Sequence, residues 1–253
     1  MTTIASTSNP RLKGLRKLHT KRGRTASGQF AVEGEDLLAA AGRAGAEPLE
    51  GFRLAGSGLG PASFADVEAP ALAEASVLGS GSRVIGVYAQ RWAARPHGPL
   101  CVYLHGVRDP GNIGTVLRSA EAFGASCVAL GPGCADPHSP KAVRASMGAI
   151  FALPLARAAG AAELPGRKIA LSATAPQTLA EAVAGAGDEI TLLIGAEREG
   201  LPQVLVASCD VHARIPIATD SLNAAMAATV ALYERWVDTS TTLNMRSPPS
   251  RFS

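Results

Sequence analysis

Read for its apolar and polar positions, the chain breaks into short strands and helices that alternate along most of its length. Early on, Leu12, Leu15 and Leu18 stripe a basic helix that opens at Ser8-Asn9-Pro10, and 29–33 reads as a strand. Residues 20–28, polar and glycine-containing, read as a mobile loop. A helix through Leu37, Leu38 and Ala41 follows, then a strand at 49–54, a helical pattern at 67–75 and a clear strand at Val84-Ile85-Gly86-Val87-Tyr88. Further strands are expected at 100–104, 126–130, 151–153, 168–171, 190–194 and 211–215. Helices are expected between most of them, including a short one at 141–148, and a last one spans about 223–237. This alternation predicts a largely parallel, doubly covered sheet preceded by a small α/β domain. Residues 91–99, with Trp92, Pro96 and Pro99, read as a linker, so the domains are expected at 1–95 and 96–238. Residues 239–253, rich in Ser, Thr and Pro, read as a disordered tail.

Composition narrows the class without naming it. At 253 residues and 47% hydrophobic, the chain is long enough for two domains or one large one. No apolar run approaches the roughly 18 residues that span a bilayer, and the N-terminus lacks the apolar stretch of a signal peptide. A cytoplasmic protein with no membrane contact is the expectation. The four cysteines show neither CxxC pairing nor metal-ligand spacing with the five histidines, so no metal is expected.

Charge is small in total and lopsided in placement. Residues 1–32 carry seven cations and no acid, and the total of +3 leaves −4 for the rest. Arg11, Arg16, Lys17, Lys21, Arg22 and Arg24 are therefore candidate contacts for a phosphate backbone, with Arg144 as a later addition. A merely solvated charged face is the competing reading. Gly56-Ser57-Gly58-Leu59-Gly60 and the glycines at 79 and 81 read as surface loops, since neither cluster follows a strand and opens a helix.

Parallel sheets bind ligands beyond the carboxyl ends of their strands. Three such loops have unusual composition: Asp109 to Gly114 leading to Arg118; Gly195-Ala196-Glu197-Arg198-Glu199-Gly200-Leu201; and Pro216 to Asn223, followed by alanines. No P-loop, no GxGxxG after a strand and no Ser/His/Asp grouping accompanies them. The loops offer exposed backbone with Asn112, Arg118, Glu197, Ser221 and Asn223. That set suits holding a cofactor by main-chain groups and presenting a polar substrate to it.

Together the three loops resemble the motifs of the SpoU/TrmH branch of the SPOUT RNA methyltransferases. N-x-G-x-x-x-R matches Asn112 to Arg118, G-x-E-x-x-G-L matches Gly195 to Leu201, and the third motif matches Ile215-Pro216 and Ser221-Leu222-Asn223. The first ninety residues resemble that family's ribosomal-protein-like RNA-binding domain.

The resemblance implies S-adenosylmethionine-dependent 2′-O-methylation of an RNA ribose, in ribosomal RNA first and transfer RNA second. It also implies a C-terminal trefoil knot and a homodimer whose interface helps complete the site. Arg118 would stand nearest the 2′-hydroxyl, with Asn112, Glu197, Ser221 and Asn223 as the other catalytic candidates. Gly195, Ile215, Leu222, Leu193, Ile194 and Ala224 would hold the cofactor. Each has a plainer reading: Arg118 pairing with a helix neighbour, Asn112 as a helix cap, Leu222 and Ile215 as core. The competing functions are a non-catalytic RNA-binding protein that keeps the fold, and a methyltransferase for a small molecule or a protein.

Overall fold

The computed structural model describes residues 3–77, 81–219 and 221–246, and the chain forms two compact units. The first gathers Met1–Trp92, Pro110–Arg118 and Asp136–Ala152; the second takes Ala93–Asp109, Ser119–Ala135 and Leu153–Ser253. Residues 110–118 and 136–152 thus group with the N-terminal unit although they come later in the chain.

In the first unit the elements run α1 (Pro10–Lys17), α2 (Lys21–Ser27), β1 (Gln29–Glu33), α3 (Glu35–Arg43), β2 (Glu50–Leu54), β3 (Ala65–Val67), α4 (Ala69–Ala75) and β4 (Val84–Ala89). Asn9 starts α1 by accepting the Arg11 N–H at 2.9 Å, and Pro10 supplies the first helical φ. The expected loop at 20–28 is instead helix α2. Thr20 caps it by accepting from Gly23 N–H at 3.1 Å, and left-handed Gly28 stops it. Four strands pair in the order β1-β4-β2-β3, antiparallel except for β2 with β3. Leu12, Leu15, Phe52, Val67, Leu72 and Ile85 fill the core beneath α1 and α4.

The remaining elements are β5 (Leu100–Leu104), α5 (Pro110–Ala122), β6 (Cys127–Leu130), α6 (Pro140–Ser146), α7 (Ala149–Ala152), β7 (Leu155–Arg157), β8 (Arg167–Leu171), β9 (Gln177–Thr178), α8 (Leu179–Ala184), β10 (Ile190–Ile194), α9 (Gln203–Ala207), β11 (Val211–Arg214) and α10 (Ala224–Arg246). Seven strands form one all-parallel sheet in the order β7-β6-β5-β10-β8-β11-β9. Every residue of β5, β6 and β10 at its centre is buried, and the polar exception, Thr191, satisfies its hydroxyl by donating to the Pro165 carbonyl at 2.7 Å. The strand expected at 151–153 is an error of register: Phe151 and Ala152 end helix α7, Leu153 follows it, and the strand lies at Leu155–Arg157 beyond Pro154. Strand β9 is too short to show in the pattern. Helix α10 runs to Arg246, past the expected end at 237, so residues 239–246 are helical rather than part of a tail. The rest of the expected tail, 247–253, lies outside the described residues, as do Asp220 and residues 78–80.

Candidate functional site

In the second unit the carboxyl ends of β8, β10 and β11 open onto one cleft of about 1050 Å³. Its walls are the turn after β8 (172–176), the loop after β10 (195–201) and, after β11, Ile215, Pro216, Ile217, Thr219, Ser221 and Leu222. The β10 loop folds back on itself. Ala196 and Gly200 exchange both backbone hydrogen bonds, at 3.2 and 2.8 Å. Gly195 sits so close beneath that turn that a Cβ would collide with the Gly200 carbonyl and the Leu201 amide.

Glu197 and Asn223 tie two of these loops together. Asn223 Nδ2 donates to Glu197 Oε1 at 2.6 Å, while its Oδ1 accepts from Ala225 and Met226 N–H at 2.9 and 3.3 Å and caps α10. Ser221 lines the cleft and is exposed; the cap is Asn223. On the far wall, Arg214 donates to the Ala175 carbonyl at 2.9 Å and also to the Pro176 carbonyl. This fixes the turn after β8.

Of the cofactor candidates, Gly195, Ile194, Ile215, Leu222 and Ala224 line the cleft. Leu193 does not: it is wholly buried among Tyr103, Leu201 and Leu205, because alternate residues of a strand face opposite sides. Sequence reasoning missed Ser172 to Pro176 and Arg214. The position of 172–176, directly after a parallel strand, was the available signal.

The first motif belongs to the first unit. Gly111, Thr115 and Arg118, on one face of α5, border a cavity of about 570 Å³ together with Lys141 and Arg144 of α6. Gly114 lies against α6; a Cβ there would collide with the Ala142 carbonyl and the Ala145 side chain. The glycine of N-x-G-x-x-x-R is thus set by helix packing. Arg118 is exposed and has no ion-pair partner among the described residues. Asn112 is the third residue of α5, not its cap.

Residues 99–233 match the SpoU rRNA Methylase family. The chain belongs to that family. Residues 9–69 match the MRM3-like substrate binding domain. An uncharacterized tRNA/rRNA methyltransferase of Mycobacterium tuberculosis (strain ATCC 25618 / H37Rv) is 40% identical over 146 residues, covering 52% of this chain and 50% of the relative. The chain therefore spans about half the length of that relative. The 23S rRNA (guanosine(2553)-2′-O)-methyltransferase of Bacillus subtilis (strain 168) is 29% identical over 251 residues, 92% of this chain and 98% of its own length. The crystal structure of an AdoMet-bound rRNA methyltransferase from Sinorhizobium meliloti superposes with a TM-score of 0.79 at 30% identity, covering 92% of this chain and 97% of that one.

Within this SpoU chain, the basic N-terminal arm divides into two kinds of cation. Lys17, Lys21 and Arg22 are exposed. Arg11 is engaged with Glu50 at 2.6 Å and lies over the Phe52 ring; Arg16 is engaged with Glu74 at 2.9 Å and with the Thr7 carbonyl. Arg24 is a correction. It is 3% exposed, pairs with Asp136 at 2.8 Å and donates to the Leu18 and His19 carbonyls. It holds the unit together and is not available to RNA.

Proposed function

We propose that this SpoU-family chain transfers a methyl group from S-adenosylmethionine to a ribose 2′-hydroxyl of RNA, with ribosomal RNA as the substrate. The observation that carries the reading is the cleft at the carboxyl ends of β8, β10 and β11, whose loops are joined by the Glu197–Asn223 hydrogen bond. The naming of relatives as rRNA 2′-O-methyltransferases supports it.

The cleft suits the cofactor. It has the size of a nucleoside-scale ligand site, apolar walls in Ile215, Leu222 and Leu201, exposed backbone from 195 to 201, and the Glu197 carboxylate for a cationic ligand. Bound there, S-adenosylmethionine supplies an electrophilic methyl on a sulfonium. Glu197 and Asn223 keep the two loops in place, and Ser221 contributes a hydroxyl at the rim. Arg118 acts on the substrate. A guanidinium stays protonated in proteins, so its role is to stabilise the oxyanion that develops as the hydroxyl proton departs to solvent; Asn112 positions it.

The first unit recruits RNA, using Lys17, Lys21 and Arg22 against phosphates. The active form is a homodimer in the cytoplasm. Met226, Val230, Tyr233, Trp236 and Val237 leave an apolar stripe exposed along α10, at 61%, 37%, 53%, 49% and 39%, which suits burial against a second copy. The loops at 195–201 and 215–223, followed by α10 packing on β10 and α8, suit the trefoil knot of the family.

The test is methyl transfer from labelled S-adenosylmethionine to ribosomal RNA, with the modified position mapped as a 2′-O-methyl. Arg118→Ala should abolish transfer and leave cofactor affinity within about twofold. Wild-type turnover in that variant removes Arg118 from the chemistry. RNA binding without cofactor binding returns the non-catalytic reading.

A further inference from the structure

The cavity beside Arg118 has a composition that catalysis alone does not explain. Three cations, Arg118, Lys141 and Arg144, stand on its rim, and among the described residues no carboxylate lines it. Its other walls include Val77, Pro140 and Met147. Val77 and Met147 are large apolar side chains left 42% and 53% exposed, and both line this same cavity. With Pro140 they give the cavity an apolar wall beside its charged rim.

Met147 is unusual in a second, independent way. It ends α6 in the left-handed region, at φ 51°, the single non-glycine residue with positive φ among the described residues. A side chain in that conformation costs roughly 1–2 kcal/mol, which glycine would avoid. Gly148 follows, so near Ala40 that a Cβ would collide with it, which fixes the backbone where Met147 turns outward. The chain therefore holds a thioether, at a cost, against an apolar wall beneath three positive charges.

We infer that this cavity is a nucleotide subsite: it takes one unstacked nucleotide of the RNA, its base against Met147, Val77 and Pro140 and its phosphates on Lys141, Arg144 and Arg118. The chemistry fits at both ends. Single-stranded RNA is bound by splaying bases onto apolar, aromatic or guanidinium surfaces while cations follow the backbone. A cavity of about 570 Å³ has room for a nucleotide. Methionine, unbranched and polarizable, accepts any of the four bases, so the subsite holds a nucleotide in place without reading its identity. The inference rests on the reading of the chain as an RNA methyltransferase, and adds that the RNA strand is opened beside Arg118.

The experiment titrates the full chain with guanosine 5′-monophosphate and, separately, with inorganic phosphate, following the methionine methyl resonances by NMR. The nucleotide should move the Met147 signal in a saturable way; phosphate at the same concentration should leave that signal in place. Met147→Gly is the deciding variant, because glycine adopts the left-handed backbone freely and the melting temperature should not fall. It should weaken nucleotide binding at least fivefold and raise the KM for RNA with the KM for S-adenosylmethionine unchanged. Lys141→Ala with Arg144→Ala should weaken nucleotide binding at least tenfold. Equal binding of nucleotide and phosphate, or unaltered nucleotide affinity and RNA KM in Met147→Gly, overturns the subsite. Cofactor binding by calorimetry on the same samples separates the two readings. If S-adenosylmethionine fails to bind while the nucleotide still shifts Met147, the methyltransferase reading falls and the subsite stands.

Discussion

Asn223 donates from Nδ2 to Glu197 Oε1 at 2.6 Å, across 26 residues of chain, while its Oδ1 caps helix α10. One amide thus fixes the last helix and the loop after β10 in a single arrangement. Asn223→Asp separates the two roles. Aspartate caps a helix as well as asparagine does, but it cannot donate and it sets a second carboxylate against Glu197. The expected outcome is an unchanged melting temperature with S-adenosylmethionine affinity lowered about tenfold, equivalent to about 1.4 kcal/mol. Asn223→Ala should lose the cap as well, at about 1 kcal/mol of stability. Calorimetry and thermal unfolding on the same samples distinguish these outcomes. Wild-type cofactor affinity in the aspartate variant would show that the bond does not shape the cleft.

Gly195 and Gly200 fail differently when replaced by alanine. At Gly195 a methyl group has no room, since the backbone of Gly200 and Leu201 lies against it. The turn must open, at about 1–3 kcal/mol, and cofactor binding should be lost with it. At Gly200, φ is +65° with open space around the Cα, so alanine meets only conformational strain of about 1–2 kcal/mol. Cofactor affinity should fall less there than at Gly195, and the reverse order would refute this account of the turn.

Most of the fold was legible because its strands are continuous apolar runs between turn residues, as at Leu100–Leu104 and Ile190–Ile194. The misplaced strand at 151–153 shows the limit. Phe151, Ala152 and Leu153 are apolar in either state, and only Pro154 marks where the helix gives way. The same limit applies to Arg24, whose sequence neighbours from Lys21 to Ser27 include no carboxylate. Its role is set by Asp136, 112 residues away, which no local pattern reveals. The site motifs were legible as residues, but the reason for Gly114 was not, since it lies in the contact between α5 and α6.

Cations of the N-terminal arm should therefore separate by function. Arg24→Ala leaves Asp136, itself only 15% exposed, without its partner, and breaking such a pair costs about 3–5 kcal/mol. Thermal unfolding should show a large drop. Neutralising exposed Lys17, Lys21 and Arg22 together should leave the melting temperature nearly unchanged, weaken ribosomal RNA binding and flatten its salt dependence by about 0.7–0.9 per lost phosphate contact. Unchanged RNA affinity in the triple variant would make that face merely solvated.

His19 gives the fold a pH dependence of calculable sign. Burial lowers its pKa from the usual 6.5, with Arg16 and Arg24 acting in the same direction and Glu33 opposing them. Its Nε2 is buried without a hydrogen-bond partner among the described residues. The folded state therefore favours the neutral ring more than the unfolded chain does. Below pH 6.5 the unfolded chain takes up the proton first, so stability present above that value is lost as pH falls toward the lower folded pKa. His19→Gln removes the titration. Melting temperatures measured from pH 8 to pH 5 should fall more steeply below 6.5 for the wild type than for the variant. Parallel curves for the two proteins would show that His19 titrates alike folded and unfolded.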